Sequence, residues 1–104
     1  MPRRKRTLTH PGEILQKKFL DPLGISQNAL AKHIGVPHPV IWEICHGRRG
    51  ISGRMAIALG RALGTSAEYW ARLQADYDVD RARRTPGGRA AAKNAPIKTA
   101  PGRR

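Results

Sequence analysis

Ser26-Gln-Asn-Ala-Leu-Ala-Lys-His-Ile-Gly-Val-Pro-His-Pro-Val-Ile-Trp-Glu-Ile-Cys-His-Gly47 is the stretch whose reading decides the fold. Ser26 is a good N-cap, since its hydroxyl accepts from a free N–H of the first helical turn. Leu30, Ala31 and Ile34 then fall on one face, and Gly35 stops the helix. After the short turn at Gly35-Val36 a second helix runs from about Pro37 to His46 and ends at Gly47. Pro37 and Pro39 fit only its first turn, where the backbone N–H groups have no intrahelical partner anyway. Small Ala29 and Ala31 let the two helices approach closely. A capped helix, a tight turn and a second helix make a helix-turn-helix, whose second helix enters the major groove of DNA.

A helical wheel divides the second helix into two faces. Ile41, Ile44 and Cys45 point to a core, while Pro39, Trp42, Glu43 and His46 point outward, with His38 at the N-terminal edge. The DNA-binding candidates are therefore Ser26, Gln27, Asn28, Pro37, His38, Pro39, Trp42, Glu43, His46, Arg48 and Arg49. Ser26, Gln27 and Asn28 bring a helix N-terminus and amides to a phosphate. Arg48 and Arg49 clamp the backbone at the far end. Plainer readings stand beside these: solvated polar residues for Gln27 and Asn28, packing for Trp42, orientation of a neighbouring arginine for Glu43, and surface charge for Arg48-Arg49.

Outward from this unit the chain reads as five helices between about Pro11 and Arg83, a compact all-α bundle. The first spans Pro11 to Leu20, with Glu13 in its first turn, Lys17 and Lys18 in its last, and Leu15 and Phe19 spaced i, i+4. Pro22 and Gly24 end it. Ser52 caps the fourth, where Ala56, Leu59, Gly60 and Leu63 form an inward stripe; Gly60 is a close-packing position. Ser66 caps the fifth, in which Trp70, Leu73 and Tyr77 repeat at i, i+3, i+7. Trp70 reads as core; for Leu73 and Tyr77, nearer the helix end, core is the plainer reading and a dimer interface the functional one.

The 104 residues carry 20 Lys plus Arg against 7 Asp plus Glu, a net charge of +13. All seven acids lie between Leu8 and Arg84, where eleven bases leave a net of +4. Residues 1–7 are expected to form a disordered basic arm, 8–84 the domain, and 85–104 a disordered basic tail in which Ile97 is the only large apolar residue. Basic ends suit a polyanion, because each cation placed on a phosphate releases counterions; solubility is the plainer reading. One cysteine excludes an internal disulfide and fits a reducing cytoplasm. No apolar run approaches the ~18 residues of a membrane span, so no membrane association is expected. His33, His38, Cys45 and His46 lack metal-ligand spacing, and no catalytic triad, carboxylate pair or phosphate loop stands out. The expectation is no enzyme, no metal and no cofactor.

Thr9-His-Pro-Gly-Glu-Ile-Leu15, Leu23-Gly-Ile-Ser-Gln-Asn-Ala-Leu-Ala31, Gly47-Arg-Arg-Gly-Ile51 and Leu63-Gly-Thr-Ser-Ala-Glu-Tyr-Trp70, with Leu73-Gln74, resemble the HigA antitoxins of the lambda-repressor-like (XRE) class. The resemblance covers about Leu8 to Arg83. It implies a five-helix domain, a homodimer, autorepression through double-stranded operator DNA, and neutralisation of a partner toxin, commonly an mRNA-cleaving ribonuclease. It also implies a cytoplasmic protein, nucleoid-associated when DNA-bound. Three departures stand out: Pro39, Val40 and Trp42 where the family carries polar residues; Leu20 and Cys45 where many members hold a buried Arg–Glu pair; and a basic tail beyond the match. The alternative expectations are a stand-alone transcriptional regulator, or a module that binds its toxin and no longer binds DNA.

Overall fold

The computed structural model describes residues 8–97, and among them the chain is helical with no strand. The expected basic arm 1–7 and the last seven residues of the tail lie outside the described residues.

Helix α1 is a continuous rod made of Pro11–Ile14, a π-helical stretch Leu15–Leu20, and Asp21–Leu23. It begins with Pro11 at its first position, where the missing N–H costs nothing. The N-cap is His10, whose Nδ1 accepts the Gly12 N–H at 2.8 Å. The helix runs three residues past Leu20, through Pro22. In a regular α-helix the Pro22 ring would strike the carbonyl four residues back and leave it unbonded. The widened register, in which the Asp21 N–H donates to the Gln16 carbonyl, accommodates it. Gly24, in the left-handed conformation, then ends α1.

Helices α2 (Gln27–Ile34), α3 (His38–Cys45), α4 (Gly53–Leu63) and α5 (Ala67–Ala82) match the expected elements to within a residue or two. Ser26, Ser52 and Ser66 each cap the helix that follows, accepting from the N–H three residues on at 2.9–3.1 Å. The α2–α3 turn depends on Gly35 at φ 90°, where a Cβ would be strained. There the Gly35 and Val36 N–H groups both donate to the Ala31 carbonyl.

The core joins Leu15 and Leu20 of α1, Leu30 and Ala31 of α2, Ile41 and Ile44 of α3, Ile51, Met55, Ala56 and Leu59 around α4, and Trp70 of α5. Trp70 is fully buried and satisfies its indole N–H on Thr65 Oγ1 at 2.7 Å. Leu20 is fully buried and Cys45 half-buried, so apolar packing occupies the ground expected for an ion pair. Gly60 is the close-packing position expected, since a Cβ there would lie 2.8 Å from the Thr65 carbonyl oxygen.

One expectation is corrected. Within the stretch read as a disordered tail, Pro86–Ala92 forms a helix, α6. Thr85 caps it, Pro86 opens it, and Arg89 donates from Nη1 to the Arg84 carbonyl at 2.8 Å. The absence of large apolar side chains forbids a packed core there, but it does not forbid a capped, alanine-rich turn anchored on the end of α5.

Candidate nucleic-acid interface

The local sequence puts one side of α3 in the core and leaves the other open. Ile41 and Ile44 are fully buried, while His38, Pro39, Trp42 and His46 are exposed and Glu43 is half-buried. Pro37 caps the helix with extended backbone, and the Val40 N–H donates to its carbonyl. Val40, half-buried, packs against the core rather than presenting a polar group outward.

The outward side chains form a small ordered cluster. The His46 ring stacks on Trp42 with centroids 4.0 Å apart, and its Nδ1–H donates to the Trp42 carbonyl at 2.9 Å. The Arg48 guanidinium lies 5.5 Å from the centroid of the Trp42 ring, a cation–π distance. Glu43 takes Arg49 on a single oxygen, Oε1, from Nε at 2.9 Å and from Nη2 at 2.7 Å. Of the readings open for Glu43, this geometry matches orientation of an arginine. Both partners are substantially exposed, so the pair adds little stability and leaves Arg49 other donors to offer.

The N-terminal end of α2 lies beside α1 through a chain of amides. Gln27 Nε2 donates to Gln16 Oε1 at 2.8 Å, and Gln16 Nε2 donates to Asp21 Oδ1 at 2.6 Å. Gln27 is thus a half-buried, tethered residue, whereas Ser26 and Asn28 are exposed. Gln16, which links Gln27 to Asp21, carries no local sequence signal of this contact, because its partner Gln27 lies on another helix.

Two more residues position the interface. Gln74 of α5 accepts the part-buried Ile51 N–H on Oε1 at 2.7 Å and packs against Gly50. This contact joins the motif segments Gly47-Arg-Arg-Gly-Ile51 and Leu73-Gln74, which are distant in sequence. His10 lies edge-on to Tyr77, with ring centroids 4.8 Å apart, and close to Gly47. His10, Arg48, Arg49, Gln74, Tyr77 and Arg81 are among the residues that line an open cleft of about 440 Å³. Leu73 is half-buried against the core, and Tyr77 is half-buried beside His10.

Among the described residues, no group of three His, Cys, Asp or Glu side chains is arranged to hold a metal ion, and no helix is long and apolar enough to cross a membrane. Burial raises the Cys45 thiol to about 11, so it stays protonated and unreactive near neutrality.

An open-faced second helix, a glycine turn and a capped first helix with exposed polar groups define a DNA-binding helix-turn-helix. The chain belongs to the HTH_3 helix-turn-helix family, whose model matches residues 16–70. It is 34% identical over 79 residues to antitoxin HigA-1 of Vibrio cholerae, covering 76% of this chain and 74% of the relative. It is 43% identical over 70 residues to virulence-associated protein I of Dichelobacter nodosus, a match spanning 67% of this chain and 65% of that protein's length. The structure of the Pseudomonas aeruginosa antitoxin HigA with the higBA promoter superposes with a TM-score of 0.81 at 40% identity, over 89% of this chain and 100% of that one. The resemblance drawn from the motifs therefore holds.

Proposed function

We propose that the protein is the antitoxin of a type II toxin–antitoxin module, which binds the operator of its own operon as a homodimer and neutralises a partner toxin, an mRNA-cleaving ribonuclease. It acts by binding, without catalysis or cofactor, in the bacterial cytoplasm and on the nucleoid when DNA-bound. The observation that carries the DNA-binding part is the ordered outward face of α3, with Trp42, His46 and Arg48 stacked and Glu43 holding Arg49. The likeness to an antitoxin solved with promoter DNA supports the same reading.

On this reading α3 enters the major groove. His38, Pro39, Trp42 and His46 face base edges, with Trp42 meeting a thymine methyl, while Glu43 orients Arg49. Ser26, Gln27, Asn28 and Pro37 lie along one phosphate strand, and Arg48 and Arg49 along the backbone beyond α3. Leu73 and Tyr77 of α5 contribute to the two-fold contact.

Titration of the full chain against its own promoter and a scrambled duplex tests this. The Arg48→Ala/Arg49→Ala double variant should weaken both duplexes alike. Trp42→Ala or His38→Ala should cut the preference for the promoter, by about 1–3 kcal/mol where the side chain reads a base edge well. Indifference to sequence, even at low salt, overturns the repressor reading. A gene with no small toxin frame beside it returns the protein to a stand-alone regulator.

A further inference from the structure

We infer that the C-terminal end of α5 together with α6 forms a second DNA-contacting surface, which engages phosphates of the duplex flanking the site read by α3. The inference rests on the DNA-binding reading above and adds a surface to it.

The first observation is that α6 is docked although it has no apolar face to bury. Every described residue from Pro86 to Ile97 is exposed except Gly88. Docking instead uses polar and steric fit. Thr85 Oγ1 donates to the Ala82 carbonyl at 2.7 Å and accepts the Gly88 N–H at 3.0 Å. Gly88 presses so closely on α5 that a Cβ there would overlap the Ala82 carbonyl. A hydrophobic driving force does not explain this arrangement, so what α6 presents outward is the informative part.

What it presents is charge. Arg81, Arg83, Arg84, Arg89 and Lys93 are all exposed, and no acid occurs from Arg81 to Ile97. Among these five, Arg84 is the one paired with a carboxylate of the described residues, at 2.7 Å from Asp80 Oδ2. The outer residues Gly87, Ala90, Ala91 and Ala92 are small, so a phosphodiester strand can approach the helix without steric conflict.

Position links the patch to DNA rather than to any acidic partner. Arg81 lines the same cleft as Arg48 and Arg49, the pair at the end of α3. Arg48, Arg49 and Arg81 therefore share one cleft, with Asp78 the one acid in its lining, and mark a track from the end of α3 toward α6. Duplex leaving the α3 site along this track meets cations of the same kind that clamp it at Arg48 and Arg49, and each phosphate so engaged releases counterions.

The test uses the full-length chain and fluorescence anisotropy over a potassium chloride series. One duplex ends at the outer base pairs of the operator, and a second extends it by about ten base pairs, or one turn, on each side. The wild-type protein should show a steeper log–log salt dependence on the longer duplex. The increment is about 0.9 per phosphate, or about 5 if three cations act on each protomer of a dimer. Arg83→Gln/Arg89→Gln/Lys93→Gln should give the same slope on both duplexes, with its preference for operator over scrambled DNA retained. Arg83→Lys/Arg89→Lys, with Lys93 kept, should regain the steeper slope. Equal wild-type slopes on the two duplexes, or a triple-glutamine variant as salt-sensitive as wild type on the longer one, overturns the inference. Failure of the underlying reading looks different: the wild type would then bind operator and scrambled duplex equally at either length.

Discussion

Gly12 sits where α1 presses on the C-terminal end of the recognition helix. A Cβ there would overlap the Ile44 carbonyl and crowd Cys45 Cα, both backbone groups that have no rotamer to retreat into. Gly12→Ala must therefore push α1 off α3, and overpacking of this kind costs about 1–3 kcal/mol or more. Denaturant unfolding should show that loss, and operator binding should weaken with it; an unchanged midpoint would mean that the two helices separate freely. His10, two residues earlier, makes a prediction of a different kind. Its Nδ1 must be unprotonated to accept the Gly12 N–H. Burial holds its pKa below the usual 6.5, against the pull of Asp78, with Arg81 adding to the depression and Glu13 opposing it. As pH falls through 6.5, the unfolded chain takes up the proton before the folded one does. The stability from this residue is thus complete above that pH, declines below it, and stops declining once the folded-state pKa is passed. His10→Asn keeps an acceptor at the cap and removes the titration. Its stability should vary less than that of wild type between about pH 7.5 and 5, and parallel profiles would exclude His10 as the titrating group.

At the scale of elements, the same physics explains what the sequence made legible and what it hid. The caps at Ser26, Ser52 and Ser66 and the glycine stop at Gly35 are local events, so residue type alone announces them. The division of α3 into buried Ile41 and Ile44 and exposed Trp42 and His46 follows from helical period, which is also local. The π-helical stretch of α1 was not legible, because it reconciles Pro22 with a helix that α3 and α5 hold from outside. Helix α6 is hidden for a different reason: Thr85-Pro86 and Ala90-Ala91-Ala92 are ordinary helix signals, outweighed by the lack of apolar bulk. The links that position the site are non-local. Gln74 reaches from α5 to the Ile51 N–H, 23 residues away in sequence, and so holds the segment that carries Arg48 and Arg49. Gln74→Ala removes the partner of that part-buried N–H, at about 1 kcal/mol. Faster amide exchange at Ile51 should accompany weaker binding to all DNA sequences alike. A loss confined to the operator would instead tie Gln74 to base reading.

For the whole molecule, the decisive quantity is the separation of two recognition helices in the proposed dimer. One α3 of eight residues spans about 12 Å, enough for a single half-site in one major groove. Specific repression then requires a second copy at a set distance, and dimers of this class place their half-sites about 34–36 Å apart, one turn of duplex. Helix α5 is the proposed spacer, because its core side is locked by Trp70 while Leu73 and Tyr77 are only half-buried, and Val79 is 50% exposed. A spacer built from packed helices does not stretch. Each base pair inserted between the half-sites shifts the second one by about 3.4 Å and turns it about 34°, following from roughly 10.5 base pairs per turn. Two inserted base pairs should therefore reduce affinity to that of an isolated half-site, read as a change from one cooperative transition to two independent weak ones in a gel-shift titration. Leu73→Asp/Tyr77→Asp should produce the same weak pattern on the unmodified operator, together with a monomer in sedimentation velocity. A protein that tolerates the insertion, or a double variant that stays dimeric, would place the two-fold contact away from α5.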